Sequence, residues 1–139
     1  MLHNLFNQKK NNNAHQLEVR QSLIHGRGVF CKTAFKPGQL IEKAPIILMD
    51  DKEKDMLRHS CLHHYYFLVN NTAKPIAMGL GYSALYNHAA GANARYSINL
   101  INLSISIKAC KKIVPGEEIT INYNGRPNDS SPVYFTSNN

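Results

Sequence analysis

The fold of this chain is decided near its end by the stretch GEEITINY, residues 116–123. The stretch completes the turn signal Val114-Pro115-Gly116, and its β-branched run Ile119-Thr120-Ile121 predicts a final β-strand that leads to Tyr123. Such a strand ending in tyrosine is, taken alone, more often structural than catalytic.

A second stretch, GYSALYNH, spans residues 81–88. It places the polar pair Asn87-His88 inside an apolar surrounding, and we expect a single helical turn over residues 83–88. Considered without the other stretches, such a pair also has a structural role more often than a catalytic one.

Outward from these stretches, short β-prone runs alternate with turn signals. The runs cover residues 17–20, 28–31, 40–49 and 96–109, the last with a slip near residues 101–102 that fits a hairpin turn or bulge. Pro45 predicts that residues 40–49 form a bent or edge strand and not a central one. No strand and helix alternate at the length that a parallel crossover needs, so we predict a mainly β domain.

The flanking and inserted segments have a different character. Residues 50–68 have a helix-like period, and the pair Asp50-Asp51 is suited to cap a helix start. Residues 1–14 are expected to form a flexible N-terminal arm, residues 15–124 the domain, and residues 125–139 a C-terminal tail. At 139 residues and 15.7 kDa the chain has room for one core only.

Charge and hydropathy exclude some classes of protein. The formal net charge of +7 makes a polyanionic partner worth considering, but the chain has no Cys/His finger, aromatic RNA-binding pattern or basic heptads. No apolar run approaches the ~18 residues of a membrane span, and the first residues lack a secretory apolar segment. We therefore expect a soluble protein that is cytoplasmic or nuclear, including the nucleus of a host, without membrane contact.

Cysteine and histidine positions do not favour a metal site. Cys31, Cys61 and Cys110 are odd in number and far apart, which argues against a disulfide framework or a four-thiolate zinc site. In the cluster HSCLHH, residues 59–64, His59 and His63 would share one face of a helix, as zinc ligands can. The alternative is a polar, exposed helix, and since no carboxylate motif accompanies the cluster, we expect no bound metal.

A third segment completes a pattern. Gly26-Arg27-Gly28 follows the first predicted strand and allows close approach of a ligand to bare backbone. In this order, the three segments resemble the SET domain of protein-lysine methyltransferases, over Leu17 to Tyr123 and closest to the minimal SET proteins of viral and bacterial type. The resemblance implies a β-clip fold of several small sheets, short helical insertions and a C-terminal pseudoknot that brings Asn87-His88 beside Tyr123.

The resemblance also implies a cofactor, S-adenosyl-L-methionine, and a set of site residues. The implied cofactor-binding residues are Gly26, Arg27, Gly28, Asn87, His88 and Tyr123, and Tyr123 is the implied catalytic residue. Tyr82 and Tyr96 are candidates for the walls of the lysine channel, although both are about equally well explained as core or half-exposed tyrosines. In the tail, Val133, Tyr134 and Phe135 are candidates for a lid over this channel; the alternatives are a disordered tail and a lid from a second subunit of a homodimer.

The sequence departs from the family at one loop. The family usually has Asn-His-Ser/Cys-x-Pro-Asn, whereas this chain has Ala89 and Ala92 at the Ser/Cys and Pro positions. The function favoured is methyl transfer to lysine in a histone-like or other basic protein. The alternatives are a catalytically silent SET-like module that binds peptide or nucleic acid, and a basic nucleic-acid-binding protein unrelated to methyl transfer.

Overall fold

The computed structural model describes residues 12–132, which form a mainly β domain of two sheets. The strands are β1 Leu17–Gln21, β2 Arg27–Cys31, β3 Leu40–Met49, β4 Tyr66–Leu68, β5 Ile76–Gly79, β6 Asn87–His88, β7 Ala94–Asn99, β8 Ser104–Ala109 and β9 Glu118–Ile121. The helices are α1 Asp51–Leu57 and the 3₁₀ helices Ala14–Gln16 and Cys61–His64. The predicted fold class is confirmed.

The first sheet has four strands in the order β1-β2-β9-β6. β1, β2 and β9 pair antiparallel, whereas β6 and β9 pair parallel. β9, the last strand within residues 12–132, is thus inserted between an early strand and a strand from the middle. This insertion brings residues of the 81–88 stretch next to those of the 116–123 stretch.

The second sheet has five strands in the order β4-β5-β3-β8-β7, all antiparallel. The prediction that residues 40–49 form a bent or edge strand and not a central one is wrong about position, because β3 lies at the centre of this sheet. Pro45 is tolerated there because β3 changes partner at that point: it pairs with β8 up to Pro45 and with β5 from Ile46 onward. The proline therefore sits where one hydrogen-bond ladder ends and the other begins.

Of the two alternatives for the slip in residues 96–109, a hairpin turn or a bulge, the structure shows the hairpin: β7 and β8 are joined by a turn in which Leu103 has a φ of 51°. The expected helical turn over residues 83–88 is wrong. Residues 81–84 form a turn and Asn87–His88 form β6, because pairing with β9 satisfies backbone groups that a helical turn would use internally.

The helix-like segment is shorter than the period suggested. Asp50 caps α1 through a capping box with Glu53, so the predicted cap is confirmed. A 3₁₀ helix and β4 follow, and His59 lies between the two helices, so His59 and His63 do not share a helix face. Among residues 12–132, no group of three or more His, Cys, Asp or Glu is placed to hold a metal ion.

The core is built from side chains of both sheets and is dominated by isoleucine. Fully buried members include Ile41, Ile105, Ile107, Ile113, Ile119 and Ile121. Tyr86, directly before β6, is the largest of the fully buried side chains in the described part, at 1% exposure. No helix of residues 12–132 is long and apolar enough to cross a membrane.

The first described residues are fastened to β3. Asn12 and Asn13, from the predicted N-terminal arm, donate side-chain hydrogen bonds to the Lys43 and Leu40 carbonyls of β3 at 3.1 and 2.7 Å. The rest of that arm, residues 1–11, lies outside the described residues.

Candidate active site

The parallel pairing of β6 and β9 places Asn87-His88 beside Tyr123. Asn87 pairs with Thr120 and His88 with Ile121, so the chain leaves β9 next to the His88 side chain. The Tyr123 backbone N–H donates to His88 Nδ1 at 3.1 Å, and the two ring centroids lie 5.2 Å apart. The structure therefore brings together the polar pair and the terminal tyrosine, as the resemblance implies.

The Tyr123 hydroxyl is held by a backbone oxygen. It donates to the Tyr86 carbonyl at 2.7 Å. Burial raises the pKa of Tyr123 to about 12, and the nearby Tyr65 and Glu118 charges add to that rise. At neutral pH this group is consequently a neutral phenol of fixed orientation and not a proton acceptor from an ammonium.

His88 is held in its neutral form. Burial lowers its pKa from the ordinary value of 6.5. Because Nδ1 accepts the Tyr123 backbone N–H, the proton of the neutral imidazole is assigned to Nε2. The imidazole of His88 therefore holds the Tyr123 backbone N–H only while the imidazole is uncharged.

Asn87 ties the Gly-Arg-Gly segment to this pair. Its Nδ2 donates to the carbonyls of His25 at 2.9 Å and Arg27 at 3.2 Å and to the Glu118 carboxylate at 2.8 Å. The Ser22 hydroxyl donates to the same carboxylate. The loop before β2 is therefore fastened to both β6 and β9.

The two glycines of the Gly-Arg-Gly segment are needed for different reasons. A Cβ on Gly28 would collide with the Glu118 carboxylate and lie 3.0 Å from Asn87 Nδ2. Gly26 has a φ of 47°, and a Cβ there would meet no heavy atom within 4 Å. Gly28 is thus required by packing, whereas Gly26 presents bare backbone to open space in a conformation that favours glycine.

The loop that departs from the family pattern is fixed by amide side chains. Asn93 Oδ1 accepts from the Thr120 backbone N–H at 2.9 Å, and Asn93 Nδ2 donates to the Glu118 carbonyl at 2.9 Å. Asn122 Nδ2 donates to the Pro127 and Asp129 carbonyls at 3.2 and 2.6 Å. These bonds hold the loop and the chain after β9, so a rigid loop does not require the proline.

The two channel candidates lie on different elements. Tyr96 is on β7, where its ring packs 4.8 Å from the Phe67 ring and burial raises its pKa. A Cβ on Gly125 would lie 3.7 Å from the Tyr96 hydroxyl oxygen, so this hydroxyl reaches the chain just beyond Tyr123. Tyr82 is half-buried in the turn before β6. The lid candidates Val133, Tyr134 and Phe135 lie outside the described residues.

Three residues near the site were missed by the sequence analysis in the roles their contacts suggest: Glu42, Tyr86 and Glu118. Tyr86 supplies the acceptor for Tyr123, and Glu118 accepts from Asn87 and Ser22. Glu42 offered a signal, as a carboxylate in the apolar run of β3, and Glu118 lies within the quoted stretch itself. The importance of the Tyr86 carbonyl had no signal, because every residue type carries that group.

Comparison with known proteins agrees with this geometry. The family model of the SET domain matches residues 26–124. A Schizosaccharomyces pombe protein named "Histone-lysine N-methyltransferase, H3 lysine-37 specific" is 27% identical over 108 residues, which are 77% of this chain and 72% of the relative. The crystal structure of a candidate histone methyltransferase from Plasmodium falciparum matches with a TM-score of 0.66 and 28% identity, covering 78% of this chain and 92% of that one.

Proposed function

Since this chain belongs to the SET domain family, we propose that it is a protein-lysine N-methyltransferase that uses S-adenosyl-L-methionine. The observation that carries the proposal is the contact of His88 with Tyr123, beside the Asn87 side chain that holds the Gly26–Gly28 loop. Three separate stretches of the chain meet at this point. The names of the similar proteins, both histone methyltransferases, support the same reaction class.

The residues present suit the proposed cofactor. Gly26 presents open backbone, and Asn87 and His88 present polar groups at the end of β6 next to it. We assign Gly26, Arg27, Gly28, Asn87, His88 and Tyr123 to its binding. When bound, S-adenosyl-L-methionine supplies an electron-poor methyl group on a sulfonium sulfur.

Tyr123 acts in this proposal as an orienting group. Its hydroxyl is neutral, and its proton is committed to the Tyr86 carbonyl, so the lone pairs of the oxygen remain for weak C–H···O contacts and for the incoming amine. A fixed dipole of this kind lowers a barrier without reorganisation during the reaction. In Tyr123→Phe the hydroxyl and its contribution are lost, while the aromatic ring still occupies the same space.

The target lysine must reach the site as a free amine. Its reference pKa is about 10.4, so nearly all of it is protonated in water at neutral pH. Desolvation lowers the pKa of an ammonium, and we propose that Tyr82 and Tyr96 provide aromatic walls for the side chain on its way in. The proton then leaves to water, and no dedicated base is needed.

The substrate we propose is a histone-like or other basic protein. At a net charge of +7 the enzyme has no general attraction for such a partner. Recognition must therefore be local, and α1 with its cap carries the acidic residues Asp50, Asp51, Glu53 and Asp55. Lys52, Lys54 and Arg58 interleave with these acids, which keeps the surface nearly neutral and limits charge-driven binding.

The test is a methylation assay with labelled cofactor on arrays of lysine-containing peptides from histones and other basic proteins. We expect label on a subset of lysines, with Tyr123→Phe as the control that binds cofactor but transfers little. Calorimetry separates the alternative of a catalytically silent module, which would bind peptide without heat from S-adenosyl-L-methionine. Folded protein that binds the cofactor but labels no lysine would contradict the proposal.

A further inference from the structure

A buried carboxylate next to the candidate site forms no ion pair with any of the described residues. Glu42, on β3, is 2% exposed. The ion pairs within residues 12–132 join Glu18 to Arg20 and Asp55 to Arg58, and neither involves Glu42. Burial of a carboxylate without a cation costs free energy, so hydrogen bonds must compensate for it. The partners in those bonds indicate which part of the fold the carboxylate holds.

Both oxygens of Glu42 are used by the loop that precedes β6. Oε1 accepts from the Tyr86 hydroxyl at 3.0 Å, and Oε2 accepts from the Tyr82 backbone N–H at 2.8 Å. These donors stand at the two ends of the 82–86 segment. Gly81, with a φ of 62°, packs so closely that a Cβ there would lie 2.5 Å from Oε2. The turn that precedes β6 therefore packs directly against the Glu42 carboxylate.

The same segment carries the acceptor of the Tyr123 hydroxyl. Tyr86 bonds to Glu42 through its side chain and to Tyr123 through its carbonyl oxygen, at 3.0 and 2.7 Å respectively. The side chain of Tyr86 is almost fully buried and therefore has little freedom to move. The position of this side chain in turn determines where the Tyr86 carbonyl lies. Glu42 thus reaches the Tyr123 hydroxyl through one intervening residue.

We propose that Glu42 is a positioning residue for methyl transfer, holding the 82–86 segment so that the Tyr86 carbonyl stays aligned with the Tyr123 hydroxyl. This inference rests on the proposed function. Asn87 and His88, which we assign to the cofactor, have their own anchors in β9 and in the loop before β2. Loss of Glu42 should therefore lower turnover and leave cofactor binding nearly intact.

The number of acceptors provides a specific test. A carboxylate offers an oxygen to each donor, whereas the amide of Glu42→Gln offers one oxygen and turns an NH₂ group toward the other donor. Tyr86→Phe removes one of the two donors, while residue 86 keeps a backbone carbonyl that is no longer held through its side chain. In the double variant the remaining amide oxygen can serve the Tyr82 N–H, so the losses of the single variants should not multiply.

The experiment measures kcat on a lysine peptide, the cofactor Kd by calorimetry and the thermal midpoint for the wild type and the variants. We expect Glu42→Gln to lower kcat about tenfold, because the Tyr86 carbonyl loses its alignment with the Tyr123 hydroxyl, with a cofactor Kd within about threefold of wild type. The double variant Glu42→Gln/Tyr86→Phe should be no slower than Glu42→Gln alone. Glu18→Gln, the same exchange at a half-exposed glutamate of β1, should match the wild type.

Wild-type turnover in Glu42→Gln, multiplied losses in the double variant, or an equal loss of cofactor affinity would each overturn the inference. If Glu42→Gln does not fold, Tyr86→Phe decides alone: a lower kcat with unchanged cofactor Kd supports the inference, and a wild-type kcat overturns it. A wild type without turnover refutes the proposed function and the inference together. An active wild type with an equally active Glu42→Gln refutes the inference only.

Discussion

The candidate site and the helical insertion of residues 50–65 are held by different kinds of contact. In the site, the hydrogen bonds join residues far apart in sequence, by 37 positions for Tyr123 to Tyr86 and 27 for Asn93 to Thr120. In the insertion, the capping bonds of Asp50 with Glu53 span three positions, and neither helix has a buried residue. Changes in the site should therefore affect chemistry and global stability, whereas changes in the insertion should stay local.

The largest expected effect is on turnover in Tyr123→Phe. Removing the hydroxyl takes away the group oriented by the Tyr86 carbonyl, and we expect kcat to fall about 100-fold or more. The cofactor Kd should change by less than about threefold, because the backbone bond to His88 remains. Steady-state methylation and calorimetry measure the two quantities. Tyr66→Phe, in β4, is the matched control. A fall in kcat of similar size in that variant would contradict the specific role of the Tyr123 hydroxyl.

The next effect is on stability. Asn93→Ala leaves the Thr120 N–H and the Glu118 carbonyl without their side-chain partner at a buried position. We expect the free energy of unfolding to fall by about 2–3 kcal/mol in a denaturant titration. Asn124→Ala removes one exposed bond to the Ser131 carbonyl and should cost less than about 1 kcal/mol. Equal losses in the two variants would mean that the loop is not held as described.

In the insertion, Asp50→Ala removes the side-chain acceptor of the Glu53 backbone N–H, which is one of the two bonds of the capping box. Because α1 buries no residue, the cost of about 1 kcal/mol should appear as fraying of that helix and not as a lower global stability. Hydrogen exchange should therefore accelerate at the α1 amides while the thermal midpoint stays nearly constant. Asp51→Ala, which keeps the cap, should exchange more slowly than Asp50→Ala. A marked fall in the thermal midpoint for Asp50→Ala would show that the insertion supports the core.

The smallest effect is a pH dependence that originates in His88. Burial lowers its pKa from 6.5, so the unfolded chain binds the proton more tightly than the folded one. Stability should then decrease as the pH falls below about 6.5, and turnover should fall with it, because a protonated Nδ1 cannot accept from Tyr123. Thermal unfolding between ~pH 7.5 and ~5 should show this decrease in the wild type and less of it in His88→Asn. Parallel curves for the two proteins would contradict the assignment, and His59→Asn, at an exposed position, should follow the wild type.

The sequence predicted the features that depend on neighbouring residues better than those that depend on distant contacts. The cap at Asp50 and the final strand depend on neighbouring residues and were predicted, and the β7–β8 hairpin was one of two alternatives for its stretch. The central place of β3 was not, since Pro45 is unfavourable in a central strand unless the strand changes partner there. β6 was mistaken for a helical turn because its two residues are strand only through β9.

The site shows the same limit. The juxtaposition of Asn87-His88 and Tyr123 was expected only through the family resemblance, since no local pattern encodes a parallel pairing between residues 87–88 and 120–121. The part played by Glu42 depends on a contact 44 positions away. Contacts at such distances are set by topology and packing, which periodicity does not describe.

The central claim is that this chain transfers a methyl group to lysine nitrogen. The most direct measurement compares two versions of one basic protein substrate, native and with every lysine replaced by arginine, each incubated with wild-type enzyme and methyl-labelled S-adenosyl-L-methionine. Both versions keep their positive charge, so non-specific binding is matched. The account predicts label on the native substrate alone. Equal label on both versions, or none on either from a folded enzyme that binds the cofactor, would contradict it.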